Sequence, residues 1–240
     1  MLLIPATLIS KELSPNITVS YLTFRPMQSI DFTAGQFVMI HCQTSGGLKK
    51  KPYSIASTPH SMQQEKTISF YIKQESENGC SAYLTRDIQI GDRVMLQGPL
   101  GHYVDTNKYQ DYLFISTGSG LAPNLSIATE LTHLGNYGKI GFLFGERSID
   151  QIPTSILDQL RQLEMLGIQT QLCLSQQPSS IDFPHHPGRF TDILDDTLAS
   201  FTDIHQVSYF LCGKPSMVDA TMQRLIDLGI DRSAITTEKY

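Results

Sequence analysis

The chain has 240 residues, which allows one large domain or two of ordinary size. Hydrophobic residues make up 40% of it and charged residues 17%, so it can build a core and is not a disordered chain. The formal charge of -5 is spread without a long run of either sign, which argues against a nucleic-acid-binding face, and no apolar run is long enough to span a membrane.

The chain opens with an apolar Met1-Leu2-Leu3-Ile4 that Pro5 ends. No basic residue precedes Lys11, so the pattern of a signal peptide is missing. Over residues 16–24, Ile17, Val19 and Tyr21 alternate with Thr18 and Ser20, predicting a half-buried strand. Ala34-Gly35-Gln36 marks a turn, residues 37–42 a second strand, and Gly46-Gly47 with Lys49 to Lys51 a loop.

The stretch Lys51-Pro52-Tyr53-Ser54-Ile55-Ala56-Ser57-Thr58-Pro59 follows. Tyr53, Ile55 and Ser57 fall two apart, and Pro52 pushes Lys51 towards an extended conformation. It reads as a short strand presenting a ring, a hydroxyl and a cation, able to hold a flat phosphate-carrying ligand; an ordinary edge strand fits the same residues. Further strands are predicted at residues 67–73, where Ile68, Phe70 and Ile72 alternate, and at 93–97. Between them, Asn78-Gly79-Cys80-Ser81 precedes a short helical stretch. Free N–H groups at such a start suit an anion, or only a helix cap. Gly98-Pro99-Leu100-Gly101 predicts a rigid turn. Many short strands between turns predict an antiparallel barrel or sandwich for this half.

From Asp111 the pattern becomes strand–helix alternation. Residues 112–116 are a nearly continuous apolar run, as in a strand buried on both faces. Thr117-Gly118-Ser119-Gly120-Leu121-Ala122-Pro123 follows, then a helix over 123–134 with Leu125, Ala128 and Leu131 on one face and Gly135 as its stop. Strands are predicted at 140–144, 168–174, 207–212 and 235–238, and helices at 154–166, 191–201 and 216–228. This order predicts a doubly wound parallel sheet with helices on both faces. Such sheets bind ligands at the carboxyl ends of their strands. That nominates residues 117–122, Gly145 to Ser148, Ser175 to Gln177 and 212–215. The glycine loop is not a GxGxxG fingerprint, but it permits close backbone approach to a pyrophosphate. Cys42, Cys80, Cys173 and Cys212 lie far apart without a CxxC, so neither a zinc ribbon nor an iron–sulfur loop is predicted, and they read as free thiols in the cytoplasm. His185-His186, between two prolines, reads as loop rather than metal site.

Lys-Pro-Tyr-Ser, Gly-Cys-Ser, Thr-Gly-Ser-Gly-Leu-Ala-Pro and Cys-Gly-Lys-Pro, in that order, resemble the ferredoxin–NADP reductase family of FAD-dependent oxidoreductases, over about residues 34–240. The resemblance implies an FAD-binding β-barrel domain over residues 1–106 and an NAD(P)-binding α/β domain over 107–240. It implies that Tyr53 packs on the flavin, that Ser54 lies near its N5, and that Gly79, Cys80 and Ser81 receive the FAD pyrophosphate. Lys51, Pro52 and Tyr71 are grouped with these cofactor-binding residues. Thr117, Gly118, Gly120, Ala122 and Pro123 match the loop under the nicotinamide nucleotide, and Cys212 and Gly213 the pair beside the nicotinamide. Gly145, Arg147 and Ser148 are assigned to the nucleotide, with Arg189 a further candidate. Glu238 and Tyr240 match the ending in which a terminal tyrosine stacks on the isoalloxazine and a glutamate helps proton traffic.

Ser54, Cys212, Glu238 and Tyr240 would then line a transfer site where hydride passes from NADH or NADPH to FAD. Electrons would go on singly to ferredoxin, flavodoxin or an oxygenase's electron-transfer protein. A free-flavin reductase and a non-catalytic binding or regulatory module are the alternatives. The chain departs from the family pattern at Lys51, where arginine is usual, and at Ser175-Gln176-Gln177, where NADP-specific members often carry Ser-Arg; the second departure leans towards NADH. A monomer is expected.

Overall fold

The computed structural model describes residues 3–44, 46–105, 108–176 and 183–240. Among the described residues, twelve strands form two six-stranded sheets. The first contains β1 (Leu3–Leu13), β2 (Val19–Pro26), β3 (Phe37–Thr44), β4 (Gly47–Ser54), β5 (Ile68–Lys73) and β6 (Arg93–Leu100). Its order is β4-β3-β6-β1-β2-β5 with every pairing antiparallel. An isolated bridge between Ile55 and Phe70 joins the two outer strands and closes the barrel. Inside it pack Leu8, Leu22, Phe24, Ile40, Phe70 and Leu96.

Several local expectations change. β1 was not predicted, because Pro5 interrupts its period-two pattern. Yet Ala6 and Leu8 are fully buried, and the carbonyl of Pro5 still accepts from Met27 N. The missing N–H of Pro5 faces the side on which β2 is ending, so little ladder is lost. Ile17 does not join Val19 on a strand face; it stands exposed in the preceding turn at φ 61. The glycine–lysine stretch expected as a loop is β4, hydrogen-bonded along β3. Gly98 to Leu100 continue β6 rather than turning out of it. Thr58 caps an additional helix, α1 (Pro59–Glu65), through its side-chain oxygen and the N–H of Ser61.

The second sheet holds β7 (Asp111–Thr117), β8 (Ile140–Glu146), β9 (Gln169–Leu174), β10 (His186–Pro187), β11 (Val207–Gly213) and β12 (Ile235–Lys239), in the parallel order β10-β9-β8-β7-β11-β12. Its helices are α3 (Leu121–Leu134), α4 (Thr154–Met165), α5 (Leu194–Ala199) and α6 (Pro215–Asp227); α2 (Cys80–Ala82) belongs to the barrel. The continuous apolar run of β7 is explained by two cores. Phe114 faces one, with Phe142, Phe144 and Phe210, while Leu113 and Ile115 face the other, with Leu143 and Leu211. The helix expected over 191–201 is instead a 3-10 turn, Phe190–Asp192, followed by α5. His186 lies on β10, paired with Cys173, so the histidine pair is not simply loop. The domain division placed between residues 106 and 107 lies outside the described residues, as does Gln177. No helix among the described residues is long and apolar enough to cross a membrane.

The two sheets share a core. Val19, Ala34, Ala56, Tyr71 and Tyr103 from the barrel side pack into the same cluster as Phe114, Phe142 and Phe210. This buries α3 on nearly every side, including Asn124 and Ser126. The Asn124 amide nitrogen donates to Ser116 Oγ at 2.7 Å and to the Ile115 and Phe210 carbonyls at 3.3 Å, while its oxygen accepts from Tyr103 OH at 2.6 Å. One side chain thus ties helix, sheet and barrel together. Asn124→Ala orphans these buried groups and is expected to cost about 3 kcal/mol, read as a lower urea midpoint with the same m-value.

Candidate active site

The parallel pairing of β11 with β12 sets Cys212 opposite Glu238 and Gly213 opposite Lys239. The last residue, Tyr240, then lies against the barrel. Its N–H donates to Gly213 O at 3.1 Å, and its hydroxyl donates to Glu238 Oε2 at 3.0 Å and contacts Ser54 Oγ. Ser54, Cys212, Glu238 and Tyr240 therefore meet, although Ser54 comes from β4 and the others from the far end of the chain. Tyr240 is 45% exposed as a residue, but its hydroxyl end is inserted in this cluster. Burial pushes the Tyr240 phenol well up, and the nearby Cys212 and Glu238 push it further. Burial also raises the Cys212 thiol, again helped by Glu238. The Glu238 carboxyl is raised by burial and partly brought back by the Tyr240 hydroxyl. Low dielectric and crowding make the protonated forms favourable here.

The loop after β7 fits against β11 by close backbone approach. A Cβ on Gly120 would lie 2.2 Å from the Cys212 carbonyl oxygen, and one on Gly213, at φ 139, would lie 2.3 Å from Thr117 Oγ1. Only glycine allows both contacts. Lys214 N donates to Thr117 Oγ1 at 3.3 Å. Ala122 and Pro123 are buried in the first turn of α3 and shape the loop from below.

Over this loop opens a cavity of about 770 Å³, lined by Thr117, Gly118, Gly145, Arg147, Gly213 and Tyr240 among others. Arg189 and Lys214 also line it. Ser148 lies beyond it, its hydroxyl accepting from Asp150 N at 3.3 Å. Tyr71 lies in the seam between the sheets and donates to Gln151 O at 3.4 Å.

On the barrel side, Tyr53 packs on the core with its hydroxyl buried and without a hydrogen-bond partner among the described residues. Burial raises its phenol, with Cys80, Cys42 and Glu75 adding to the shift. Beside it Gly79, at φ 109, begins α2, where the N–H groups of Cys80 and Ser81 have no acceptor within the helix. Ser81 Oγ accepts from Glu75 N at 3.3 Å. Pro52, exposed on β4, pairs with Met39. Lys51 is already engaged: its ammonium pairs with Glu75. An orphaned buried hydroxyl next to a helix start fits a ligand that brings both hydroxyl and phosphate groups.

Residues 5–104 match the family model described as the oxidoreductase FAD-binding domain. The match covers the barrel and less than half of the chain. Among curated relatives, the reductase component of propane 2-monooxygenase from Rhodococcus jostii (strain RHA1) is 26% identical over 88% of this chain and 56% of its own length. A Na(+)-translocating NADH-quinone reductase component from Pseudomonas aeruginosa (strain UCBPP-PA14) is 25% identical over 95% of this chain and 66% of its own. The chain thus spans less than two thirds of these relatives. A ferredoxin NADP+ reductase from Neisseria gonorrhoeae, solved with bound FAD and NADP, superposes with a TM-score of 0.81 at 19% identity, covering 98% of this chain and 97% of that one. The FAD/NAD binding domain of nitric oxide dioxygenase from Vibrio cholerae O1 biovar El Tor gives 0.82 at 20% identity, covering 99% and 98%. The two-domain fold is that of the ferredoxin–NADP reductases, and the group for which the residues around Tyr53 and Gly79 are suited is FAD.

Sequence reasoning missed one feature of the site. Lys73, the last residue of β5, donates to both carboxylate oxygens of Glu146 at 3.2 and 3.3 Å and to Gln151 Oε1 at 3.4 Å. The Glu146 side chain is only 4% exposed and accepts also from Arg147 N at 2.9 Å. This pair joins the barrel to the parallel sheet under the cavity. Its signal was a charge at the end of each of two otherwise apolar strands, which no local pattern connects. Lys73→Met leaves the buried carboxylate unpaired. The expected cost is roughly 2–3 kcal/mol, tempered by the partial exposure of the lysine. The double variant Lys73→Met/Glu146→Gln should recover more than half of that loss in a double-mutant cycle.

Proposed function

We propose that this chain is an FAD-dependent reductase that takes hydride from NADH or NADPH and passes electrons to a separate acceptor protein. The observation that carries the reading is the junction at Tyr240. There the cavity over the Thr117–Gly118 loop is lined by Tyr240, whose hydroxyl contacts the barrel residue Ser54 and donates to Glu238, the residue paired with Cys212. A dinucleotide laid along the carboxyl ends of the parallel strands would bring its far end to this junction. FAD, when bound, supplies a hydride acceptor able to release electrons one at a time.

The residues of the chain supply the rest. Tyr53 offers a ring face and an unpaired hydroxyl, and the Cys80 and Ser81 N–H groups offer donors to a pyrophosphate. Arg147, Arg189 and Lys214 bring positive charge to the nucleotide. Ser54 and Tyr240 form a polar contact that a flat ring must part. Glu238, protonated more readily than an ordinary carboxyl, can hold a proton beside Cys212 and Tyr240. The sequence Ser175-Gln176, without an arginine after β9, favours NADH.

The acceptor is best sought among ferredoxins, flavodoxins and the electron-transfer proteins of oxygenases. Relatives that are reductase components of a monooxygenase support that choice. Anaerobic mixing of the FAD-loaded chain with NADH and with NADPH tests the reading: bleaching of the flavin absorbance is expected, faster with NADH, and no bleaching by either would end it. FAD that survives gel filtration would separate it from a free-flavin reductase. Deleting Tyr240 should tighten nucleotide binding roughly tenfold, because its ring no longer competes for the flavin face. Equal dissociation constants for the two forms would remove Tyr240 from the site.

A further inference from the structure

All four cysteines are buried and unbridged, but two of them face each other. Val38, Ile40 and Cys42 alternate along β3 on the face turned into the barrel, and all three are fully buried. Cys80, the first residue of α2, enters the same core and places its sulfur 4.0 Å from the Ile40 carbonyl oxygen. Cys42 follows Ile40 by two residues on the same face and shares the core with Cys80; burial raises the Cys42 thiol, and the neighbouring Cys80 raises it further. Beside them lies Tyr53, whose hydroxyl has no partner among the described residues.

The segment leading into Cys80 is held differently from β3. Glu75 to Asn78 are exposed, and Gly79 sits at φ 109. Apart from the Glu75 N–H to Ser81 Oγ bond, it is tied by surface contacts, from Ser76 to Asn78, Arg86 to Glu77 and Lys51 to Glu75. Such a turn opens at far lower cost than a barrel strand.

We propose that Cys42 and Cys80 are a redox latch: a reversible disulfide between them locks the Gly79–Ser81 turn inward and weakens FAD binding. The inference rests on the reading that this turn holds FAD. The oxidant is a hydroperoxide, in the simplest case hydrogen peroxide. Opening of the turn lets Cys80 ionise, and its thiolate attacks one peroxide oxygen. The O–O bond breaks, and the departing hydroxide takes up a proton as water. The Cys42 sulfur then attacks the resulting sulfenic acid, the S–O bond breaks, and a second water leaves with the Cys42 proton. Two thiols lose two electrons and one peroxide gains them. Closing the bond draws the two sulfurs to about 2.05 Å. Cys80, on the weaker support, makes the movement, and the Cys80 and Ser81 N–H groups withdraw with it. A ligand seated on the closed turn opposes the opening and slows the reaction.

The test uses the full chain, FAD-loaded and FAD-free, treated with hydrogen peroxide, alkylated and mapped as unreduced peptides. A Cys42–Cys80 linked peptide, lacking two hydrogens, is expected to form roughly tenfold faster without FAD. The oxidised chain should bind FAD roughly tenfold more weakly in a fluorescence titration, with recovery after dithiothreitol. Cys42→Ser keeps a hydroxyl towards Cys80; it should bind FAD normally, form no link and lose no affinity after peroxide. Absence of the linked peptide overturns the latch. So does a linked chain with unchanged FAD affinity, or a Cys42→Ser variant as peroxide-sensitive as the parent. An untreated chain that fails to bind FAD overturns both readings, whereas a missing link in a chain that binds FAD overturns only the latch.

Discussion

The apolar seam between the two sheets is the constraint on which the rest depends. Val19, Ala34, Ala56, Tyr71 and Tyr103 would be exposed on an isolated barrel, and Phe114, Phe142 and Phe210 need cover on one face of the parallel sheet. Joining them satisfies both, at the usual gain of about 25 cal/mol per Å² of apolar surface removed from water. That union explains why β5 is buried on both faces and why α3 has little polar surface. It also forces polar groups to find partners inside, which Asn124 does with the Tyr103 hydroxyl and two backbone carbonyls. Barrel and sheet are therefore held in one relative orientation before any ligand is considered.

That orientation is what makes a site out of residues far apart in sequence. Parallel pairing carries β12 to the end of β11 and sets Tyr240, two residues after Glu238, against Gly213. The glycines at 120 and 213 let the loop after β7 press onto the same strand end. With less close packing the loop would stand off, and Thr117 could not accept from Lys214 N. The terminal tyrosine reaches Ser54 only because the seam fixes where β4 lies.

Much of this was legible in the sequence, because local patterns were strong. The alternation of Ile68, Phe70 and Ile72, the glycine stop at Gly135, and the continuous run of β7 each follow from one element's own periodicity. What was not legible depended on partners. β1 hid behind Pro5, whose missing donor is harmless only because β2 ends there. Ile17 continued an alternation that the turn at φ 61 breaks. Lys51 read as a free cation, but a glutamate 24 residues on holds it. Lys73 and Glu146 lie 73 residues apart, and no period links them. At the candidate site, the residue types of Tyr53, Ser54, Gly79, Cys212, Gly213 and Tyr240 were readable as a motif series, while the meeting of Ser54 with Tyr240 is a product of tertiary packing.

The polar links across the seam differ in kind, and the difference assigns them different work. Lys73–Glu146 has one partner almost wholly buried, so separating it strands a charge. In the Ser54–Tyr240–Glu238 chain, parting Ser54 from Tyr240 leaves two neutral hydroxyls that a ligand can satisfy, at smaller cost than stranding a charge. The first link therefore reinforces the orientation that the apolar seam sets, and the second governs access. A flat group can part Ser54 from Tyr240 without disturbing the buried ion pair beneath. The same logic applies to Tyr53, whose hydroxyl has no partner among the described residues while its ring is fixed against the barrel core. A rigid ring with an unspent donor is preorganised for a ligand, because binding then gains a hydrogen bond without ordering a side chain.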